Sequence, residues 1–326
     1  MSELRSPLPV SVITGFLGSG KTTLLSHLLR DPGFERTAVI INEFGAVGLD
    51  HLLVESSDEQ ILLLEGGCVC CTVRGDLVRT AGSLLARRAA GAIAPFERIV
   101  IETTGLADPA PIVHALMTDR DIAERLRLES VIATVDAAAG AATLDAHPQS
   151  VKQAALADCI VLTKTDLADP AASGLAARLE SLNPGAPKIN ALKGAVDASV
   201  LFQRRKAFPE NGDSHHFHSD GIETFCLRRE KPLHAVTLAL FLQVIAEHCG
   251  PRLLRLKGLV DVVESPGRPA VIHGVQHVFH PPAWLDAWPD EDRSTRIVVI
   301  AQGLDAQWMQ DLLEILEEEV QACSTS

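Results

Sequence analysis

The chain is poor in basic residues. Its 326 residues include 29 Lys and Arg against 42 Asp and Glu, giving a formal net charge of −13. A protein that binds nucleic acid through a broad surface needs clustered Lys and Arg to neutralise the phosphates. The composition therefore argues against a nucleic-acid partner, but it leaves room for a small phosphate ligand held by a local site.

Long apolar runs are also missing, because none approaches the ~20 residues that a membrane helix needs. The apolar patch from Leu8 to Leu17 has glycine near its end and no small-residue cleavage site after it. This pattern does not fit a signal peptide. We therefore expect a cytoplasmic protein that has no membrane partner.

Cysteine is scarce except in one place. The chain has seven cysteines, and three of them stand in the stretch EGGCVCCT, at Cys68, Cys70 and Cys71. Structural disulfides are rare in the cytosol, which leaves metal binding, redox chemistry or core packing. Thiolates suit Zn²⁺ and similar ions, and three of them leave one position of a tetrahedral site open. We favour a metal site and interpret the four isolated cysteines as core or surface residues.

The order of apolar runs and helical patterns predicts an α/β protein. Short apolar runs that predict buried strands alternate with polar or helix-forming stretches and lie at residues 10–13, 38–41, 60–64, 98–101, 131–135 and 159–162. Fully apolar strands that alternate with helices are typical of a mostly parallel sheet covered on both faces.

A change in composition predicts a second domain. Residues 209–221 are polar, contain glycine and hold His215, His216 and His218, as a linker or an exposed loop would. The three histidines could collect metal, or they could simply be solvated. Alternating apolar runs then return, with a final helix predicted near residues 305–321. We predict a P-loop NTPase domain at 1–208, a linker at 209–221 and a smaller α+β domain at 222–326.

The most specific motif is GFLGSGKT at residues 15–22, which fits G-x-x-x-x-G-K-[ST]. It follows a predicted strand and opens a predicted helix, so its backbone N–H groups and the helix N-terminus would face anionic oxygens. Lys21 would bridge the β- and γ-phosphates, and the Thr22 hydroxyl would bind Mg²⁺. The predicted nucleotide-binding residues of this segment are Gly15, Gly18, Ser19, Gly20, Lys21, Thr22 and Thr23.

A second carboxylate is expected near the Mg²⁺ of such a site. Glu102 ends an apolar strand in the stretch RIVIETTG, and Gly105 follows three residues later. We predict Glu102 as a catalytic and Mg²⁺-associated group, and the Gly105 N–H as a contact to the γ-phosphate. An ordinary strand end with a carboxylate is the alternative.

The stretch LTKTD resembles the N-K-x-D element that reads guanine, with Thr163 in place of Asn. Asp166 would accept hydrogen bonds from guanine N1–H and the 2-amino group, which adenine lacks. Lys164 would pack over the base. The sequence therefore favours GTP over ATP, although a capping role for Asp166 explains the same residues.

Glu43 and Asp50 lie in the stretch INEFGAVGLD, after the second predicted strand, where a first switch loop would stand. Either carboxylate would orient water or approach Mg²⁺. A solvated loop is an equally good interpretation of each taken alone.

Together these motifs resemble the CobW-type P-loop GTPases. The stretches GFLGSGKTTLL, INEFGAVGLD, EGGCVCCTV, VIETTGLADP and LTKTD follow one another in that family's order, and RLKG, GVQ and RIVVI resemble its C-terminal domain. The resemblance implies a metallochaperone GTPase. Its cargo would be zinc, or in some members cobalt or nickel, bound by Cys68, Cys70 and Cys71. Many members carry glutamate where this chain has Ala46, and some carry it where this chain has Ile41.

The leading hypothesis is a slow GTP hydrolase that uses Mg²⁺, binds Zn²⁺ and delivers it to a client protein. Turnover should be slow because the switch segments show no arginine finger. A P-loop ATPase or small-molecule kinase with structural thiols is the alternative, and a non-enzymatic nucleotide-gated scaffold is a third. A homo-oligomer is compatible with the sequence.

Overall fold

The computed structural model describes residues 7–41, 61–63, 72–168, 174–202, 217–219 and 221–324. The described residues fall into two compact units, one within Met1–Ala176 and Ala186–Arg205 and the other within Ala177–Gly185 and Lys206–Ser326. Most of the predicted linker lies outside the described residues, so the domain boundaries stay a prediction.

The first unit is built on a parallel sheet. Its strands are β1 (Leu8–Gly15), β2 (Thr37–Ile41), β3 (Ile61–Leu63), β4 (Arg98–Glu102), β5 (Leu126–Asp136), β6 (Cys159–Thr163) and β7 (Lys188–Asn190). They lie in the order β3-β2-β4-β1-β5-β6-β7, and each neighbouring pair is parallel. β1 therefore lies between β4 and β5, which brings the carboxyl ends of these strands together. The predicted α/β sheet is confirmed.

Seven described helices lie in the chain segments between these strands, and an eighth follows β7. They are α1 (Lys21–Leu28), α2 (Thr72–Ala89), α3 (Ala110–Thr118), α4 (Arg120–Ala123), α5 (Gly140–Ala146), α6 (Pro148–Leu156), α7 (Gly174–Leu182) and α8 (Ala198–Phe202). Most of α7 falls within the second unit. α1 buries Leu24, Leu25 and Leu28 in a core that also contains Ile13 and Val161. α6 begins with a proline at its first position, where the missing N–H costs no hydrogen bond.

The second unit contains an antiparallel sheet, two further helices and most of α7. Its strands are β8 (Phe217–Ser219), β9 (Ile222–Arg229), β10 (Leu253–Val260), β11 (Ala270–Val275), β12 (Val278–Phe279), β13 (Ala283–Trp284) and β14 (Thr295–Gln302). The order is β12-β11-β10-β14-β9-β8, and β13 pairs with β11. The helices α9 (Ala235–Cys249) and α10 (Ala306–Ser324) bury Phe241 and Leu313 in the same core as Leu256 of β10. The predicted α+β arrangement is confirmed.

The four isolated cysteines occupy ordinary core or surface positions, as expected. Cys159 and Cys249 are buried, Cys226 is half-buried and Cys323 is exposed, and none of the four forms a disulfide within the described residues. Burial raises the pKa of the Cys226 and Cys249 thiols, which keeps them protonated and unreactive.

None of the described helices combines the length and the apolar character that a membrane crossing requires.

Candidate functional site

The GFLGSGKT segment forms the turn between β1 and α1, which confirms its predicted strand–loop–helix context. Gly15, Gly18 and Gly20 have φ angles of 142°, 71° and 91°, in the region that side chains rarely adopt. A Cβ on Gly15 would also overlap the Thr134 hydroxyl of β5. The loop can therefore keep this conformation only with glycine at these positions.

Lys21 begins α1 and is almost fully buried. Its Nζ donates to the carbonyl oxygens of Gly15 at 2.9 Å and Phe16 at 3.1 Å. The ammonium group is thus held against the loop itself, next to backbone N–H groups at a helix N-terminus. Two kinds of positive potential, a full charge and a helix dipole, converge on one small concavity.

Buried hydroxyl groups lie behind this loop. The Ser19 and Thr134 hydroxyls are 2.6 Å apart, the Thr134 hydroxyl donates to Thr14 O at 3.3 Å, and the Thr103 hydroxyl donates to the Thr14 hydroxyl at 3.0 Å. We call these four residues the hydroxyl network. It joins the loop to the ends of β1, β4 and β5. The sequence analysis missed Thr14, Thr103 and Thr134, although Thr14 and Thr103 stand at or just after the carboxyl end of an apolar run and Thr134 lies within one.

Glu102 and Thr22 meet at the other side of the loop. The Thr22 hydroxyl donates to Glu102 Oε1 at 3.1 Å, and the Glu102 side chain is fully buried at the end of β4. β4 neighbours β1 in the sheet, with Ile13 opposite Glu102. A hydroxyl and a carboxylate are hard oxygen donors, which is the ligand chemistry that Mg²⁺ prefers. These two residues therefore fit the predicted Mg²⁺ site.

Gly105 packs directly on the loop. A Cβ on this residue would lie 2.7 Å from Leu17 N and 2.8 Å from Leu17 Cα. No side chain larger than hydrogen fits between the two backbones. The structure thus places Gly105 next to the turn where phosphate oxygens would sit, as the predicted γ-phosphate contact requires.

The LTKTD segment, residues 162–166, includes the last two residues of β6 and the turn after it. The Thr163 hydroxyl donates to Ser19 O at 2.7 Å, so it ties the end of β6 to the glycine-rich loop. Lys164 has a φ of 52° and its Nζ lies 2.6 Å from Asp136 Oδ2. Asp166 is exposed, so its carboxylate is accessible to a ligand.

Asp136 is a residue that the sequence analysis missed, at the end of β5 and opposite Thr163 in the sheet register. Partial burial opposes its ionisation. Hydrogen bonds from Lys164 and from the backbone amides of Ala139 and Ala138 outweigh that effect and lower the pKa of the carboxyl. Asp136 is therefore ionised at neutral pH and holds Lys164 beside the loop.

A cleft of about 120 Å³ lies between the glycine-rich loop and the segments β5, α5 and α6. Its lining includes Phe16, Ser19, Asp136, Gln153 and Lys164. At the loop, the Phe16 ring stacks on His147, with centroids 4.3 Å apart and an interplanar angle of 21°. The loop is thus supported by packing as well as by the hydroxyl network.

Several predicted site residues lie outside the described residues. They are Glu43, Asp50, Cys68, Cys70, Cys71, His215 and His216, and only the backbone of His218 is described, in β8. Within the described segments, no group of three or more His, Cys, Asp or Glu side chains is arranged to hold a metal ion. Thr23 is described, and its side chain is exposed on α1.

Comparison with protein families gives two matches along the chain. A family model described as CobW/HypB/UreG, nucleotide-binding domain, matches residues 9–190. A model of the cobalamin synthesis protein cobW C-terminal domain matches residues 222–317. The first range contains the parallel sheet except for Leu8 of β1, and the second contains the strands β9 to β14 of the antiparallel sheet.

Individual relatives match nearly the whole chain. The zinc chaperone YjiA of Escherichia coli is 32% identical over 325 residues, which cover 97% of this chain and 98% of YjiA. The zinc chaperone CobW of Pseudomonas aeruginosa is also 32% identical, over 91% of this chain and 88% of its own length. The crystal structure of Zn(II)-bound YjiA GTPase superposes with a TM-score of 0.72 at 28% identity, covering 95% of this chain and 99% of YjiA. By sequence and by fold, the chain belongs to the CobW/HypB/UreG family and carries that family's cobW C-terminal domain.

Proposed function

We propose that this chain is a metal-binding GTPase that hydrolyses GTP with Mg²⁺ and acts as a zinc metallochaperone for a client protein. The observation that carries the nucleotide part is the contact of the Thr22 hydroxyl with Glu102, 3.1 Å long, at the mouth of a complete P-loop. The zinc part is supported by relatives that are named zinc chaperones and match almost the full chain.

The phosphates would bind in the concavity of the glycine-rich loop. Backbone N–H groups of residues 16–20 would donate to the phosphate oxygens, and Lys21 would exchange its bonds to Gly15 O and Phe16 O for bonds to the β- and γ-phosphates. Thr22 and Glu102 would hold Mg²⁺. When bound, that ion neutralises charge that develops on the β- and γ-phosphate oxygens.

Hydrolysis requires a water molecule in line with the γ-phosphate. Glu43 and Asp50 are proposed to orient this water, and the Gly105 N–H to contact the γ-phosphate. The only cation that the described part of the loop places at its concavity is Lys21. Turnover should accordingly be slow in the absence of a partner that supplies further positive charge.

Asp166 is proposed to select guanine. Its exposed carboxylate would accept hydrogen bonds from N1–H and the 2-amino group, while Lys164, held by Asp136, would pack along the base. Thr163 supports this arrangement from behind, because its hydroxyl joins the recognition segment to the P-loop. The nucleotide substrate is therefore GTP, which hydrolysis converts to GDP and phosphate.

Cys68, Cys70 and Cys71 are proposed as the cargo ligands. They follow β3, whose neighbour β2 pairs with the strand that ends at Glu102. Three thiolates bind Zn²⁺ and leave one position for water, a carboxylate or a client's side chain. The same ligands would also bind Co²⁺ or Ni²⁺. His215, His216 and His218 are a second candidate for collecting metal.

Two measurements test this function. Titration with GTP and with ATP, followed by phosphate release with and without Zn²⁺, should show preferential binding and slow hydrolysis of GTP. Equal binding and hydrolysis of ATP would favour the hypothesis of an ATPase or a kinase.

The triple variant Cys68→Ala, Cys70→Ala, Cys71→Ala should lose Zn²⁺ affinity and the zinc dependence of the rate, while Cys323→Ala, a change at an exposed single cysteine, should not. Unchanged Zn²⁺ affinity in the triple variant would show that these thiols are not the cargo site.

A further inference from the structure

Gln153 lies on α6 and is buried, with 1% of its surface exposed. Its Nε2 donates to Gly105 O at 3.1 Å and to Ala107 O at 3.0 Å. Both partners are carbonyl oxygens, which only accept hydrogen bonds. The orientation of the amide is therefore fixed, because the reversed amide would place its oxygen against two other oxygens.

The other end of this amide shows what the position requires. Gln153 Oε1 is buried and has no hydrogen-bond partner among the described residues. A buried acceptor without a partner costs free energy, which an apolar side chain of similar length would avoid. The two N–H donors must therefore be the reason that an amide occupies this site.

The segment that Gln153 holds is the one that packs on the P-loop. Gly105 is in backbone contact with Leu17, and there is no room for a Cβ between them. Anchoring the carbonyls of Gly105 and Ala107 fixes the peptide planes on the far side of this contact. A loss of the anchor would let the segment shift away from the phosphate position without disturbing the loop that binds the α- and β-phosphates.

We propose that Gln153 is a positioning residue that holds the Gly105 segment in the conformation that contacts the γ-phosphate. This inference rests on the proposed function, because the γ-phosphate contact belongs to it. Gln153 would then contribute to the binding of GTP and to its hydrolysis, but not to the binding of GDP, which has no γ-phosphate.

The neighbouring contacts supply matched controls. Ser150 lies on the same helix and lines the same cleft, but its hydroxyl donates to Thr143 O and His147 O, away from the Gly105 segment. Lys152 also reaches this segment, through an ion pair of 3.6 Å with Asp108 that is partly exposed and therefore weak.

The test compares Gln153→Glu, Gln153→Met and Ser150→Ala with the wild-type chain. We expect both Gln153 variants to bind a non-hydrolysable GTP analogue about tenfold more weakly and to lower kcat to a similar extent, the scale of one or two lost buried hydrogen bonds. Their affinity for GDP should stay within about twofold of the wild-type value, because GDP has no γ-phosphate to contact the Gly105 segment. Ser150→Ala should leave all three quantities unchanged. Thermal melting of each variant checks that the fold is retained.

A pH profile separates positioning from packing. In Gln153→Glu the buried carboxyl has a raised pKa, and its protonated form regains one O–H donor toward the two carbonyls. Its kcat relative to wild type should rise as the pH falls from about 8 to about 6, whereas that of Gln153→Met should not. Equal weakening of GDP and GTP-analogue binding, or wild-type behaviour of both variants, would overturn the inference alone. A wild-type chain that binds no GTP would overturn the proposed function with it.

Discussion

At the scale of single residues, several hydroxyl groups of the site contact the protein's own backbone, which supports the P-loop. Thr163 is the clearest case, because the sequence suggests a base contact and the structure directs its hydroxyl to Ser19 O. This hydrogen bond of Thr163 links the end of β6 to the P-loop. The proposed role of Thr163 in nucleotide binding is thereby indirect.

The change Thr163→Val tests this support. It keeps the shape of the side chain and leaves a buried carbonyl at Ser19 without its donor, so the free energy of unfolding should fall by about 1–2 kcal/mol. Affinity for GTP and GDP should fall together, because the P-loop serves both. Urea unfolding and nucleotide titration measure these effects. The matched change Thr143→Val, which removes an exposed hydroxyl contact to Ala139 O, should cost about 0.5 kcal/mol or less.

Asp136 predicts a pH dependence. Because its pKa is lowered in the folded chain, its pairing with Lys164 stabilises the fold above the ordinary carboxyl pKa of 3.8. That contribution is lost as the pH falls through 3.8 toward the lower folded-state value. Asp136→Asn should therefore destabilise the chain at neutral pH, and its difference from wild type should shrink steadily as the pH falls below 3.8. A constant difference across the whole pH range, measured by urea unfolding, would contradict this account.

At the scale of secondary-structure elements, β14 of the second unit carries a buried cation. The Arg296 side chain is 1% exposed and contacts Asp290 at 2.9 Å and Asp292 at 3.5 Å. Burial opposes ionisation of Asp292, but hydrogen bonds from Ser294 and the charges of Arg296 and Arg228 lower its pKa overall. The start of β14 is thus held by ion pairs as well as by the hydrogen bonds of the antiparallel sheet.

The change Arg296→Leu should cost about 2 kcal/mol of unfolding free energy, since Asp290 loses its buried partner while Asp292 keeps its ion pair with Arg228. Arg268→Leu provides the control, because Arg268 pairs with Asp286 at the surface and the loss should stay below about 1 kcal/mol. Denaturant unfolding of the two variants gives both values. Similar losses at the two positions would show that burial does not determine the strength of these pairs.

The sequence predicts the central strands of both sheets because their apolar runs are continuous, as in β4 and β14. It does not predict α9, whose side chains are apolar on most faces and lack a clear period, or short elements such as β7 and α8. The contacts of Asp136 with Lys164 and of Gln153 with Gly105 have no local signal, since the partners lie 28 and 48 residues away. The P-loop is predictable because its function resides in one continuous segment.

At the scale of the whole molecule, ligand binding should raise the free energy of unfolding. A ligand at 100 times its Kd adds about 2.7 kcal/mol to a chain that binds it only when folded. GTP with Mg²⁺ should therefore raise the melting temperature, while ATP with Mg²⁺ should do so much less. The variant Lys21→Ala should lose the GTP effect. Differential scanning fluorimetry tests this, and equal shifts with ATP and GTP would contradict the proposed base selectivity.

The hydroxyl network has a consequence for which groups can donate to an anion in the P-loop. The Thr134 hydroxyl uses its one proton on Thr14 O, so the Ser19 hydroxyl is the donor across the 2.6 Å that separate Ser19 from Thr134. The Ser19 proton is thereby directed toward the sheet behind the loop. The backbone N–H groups and Lys21 are then the donors that this arrangement leaves for a phosphate.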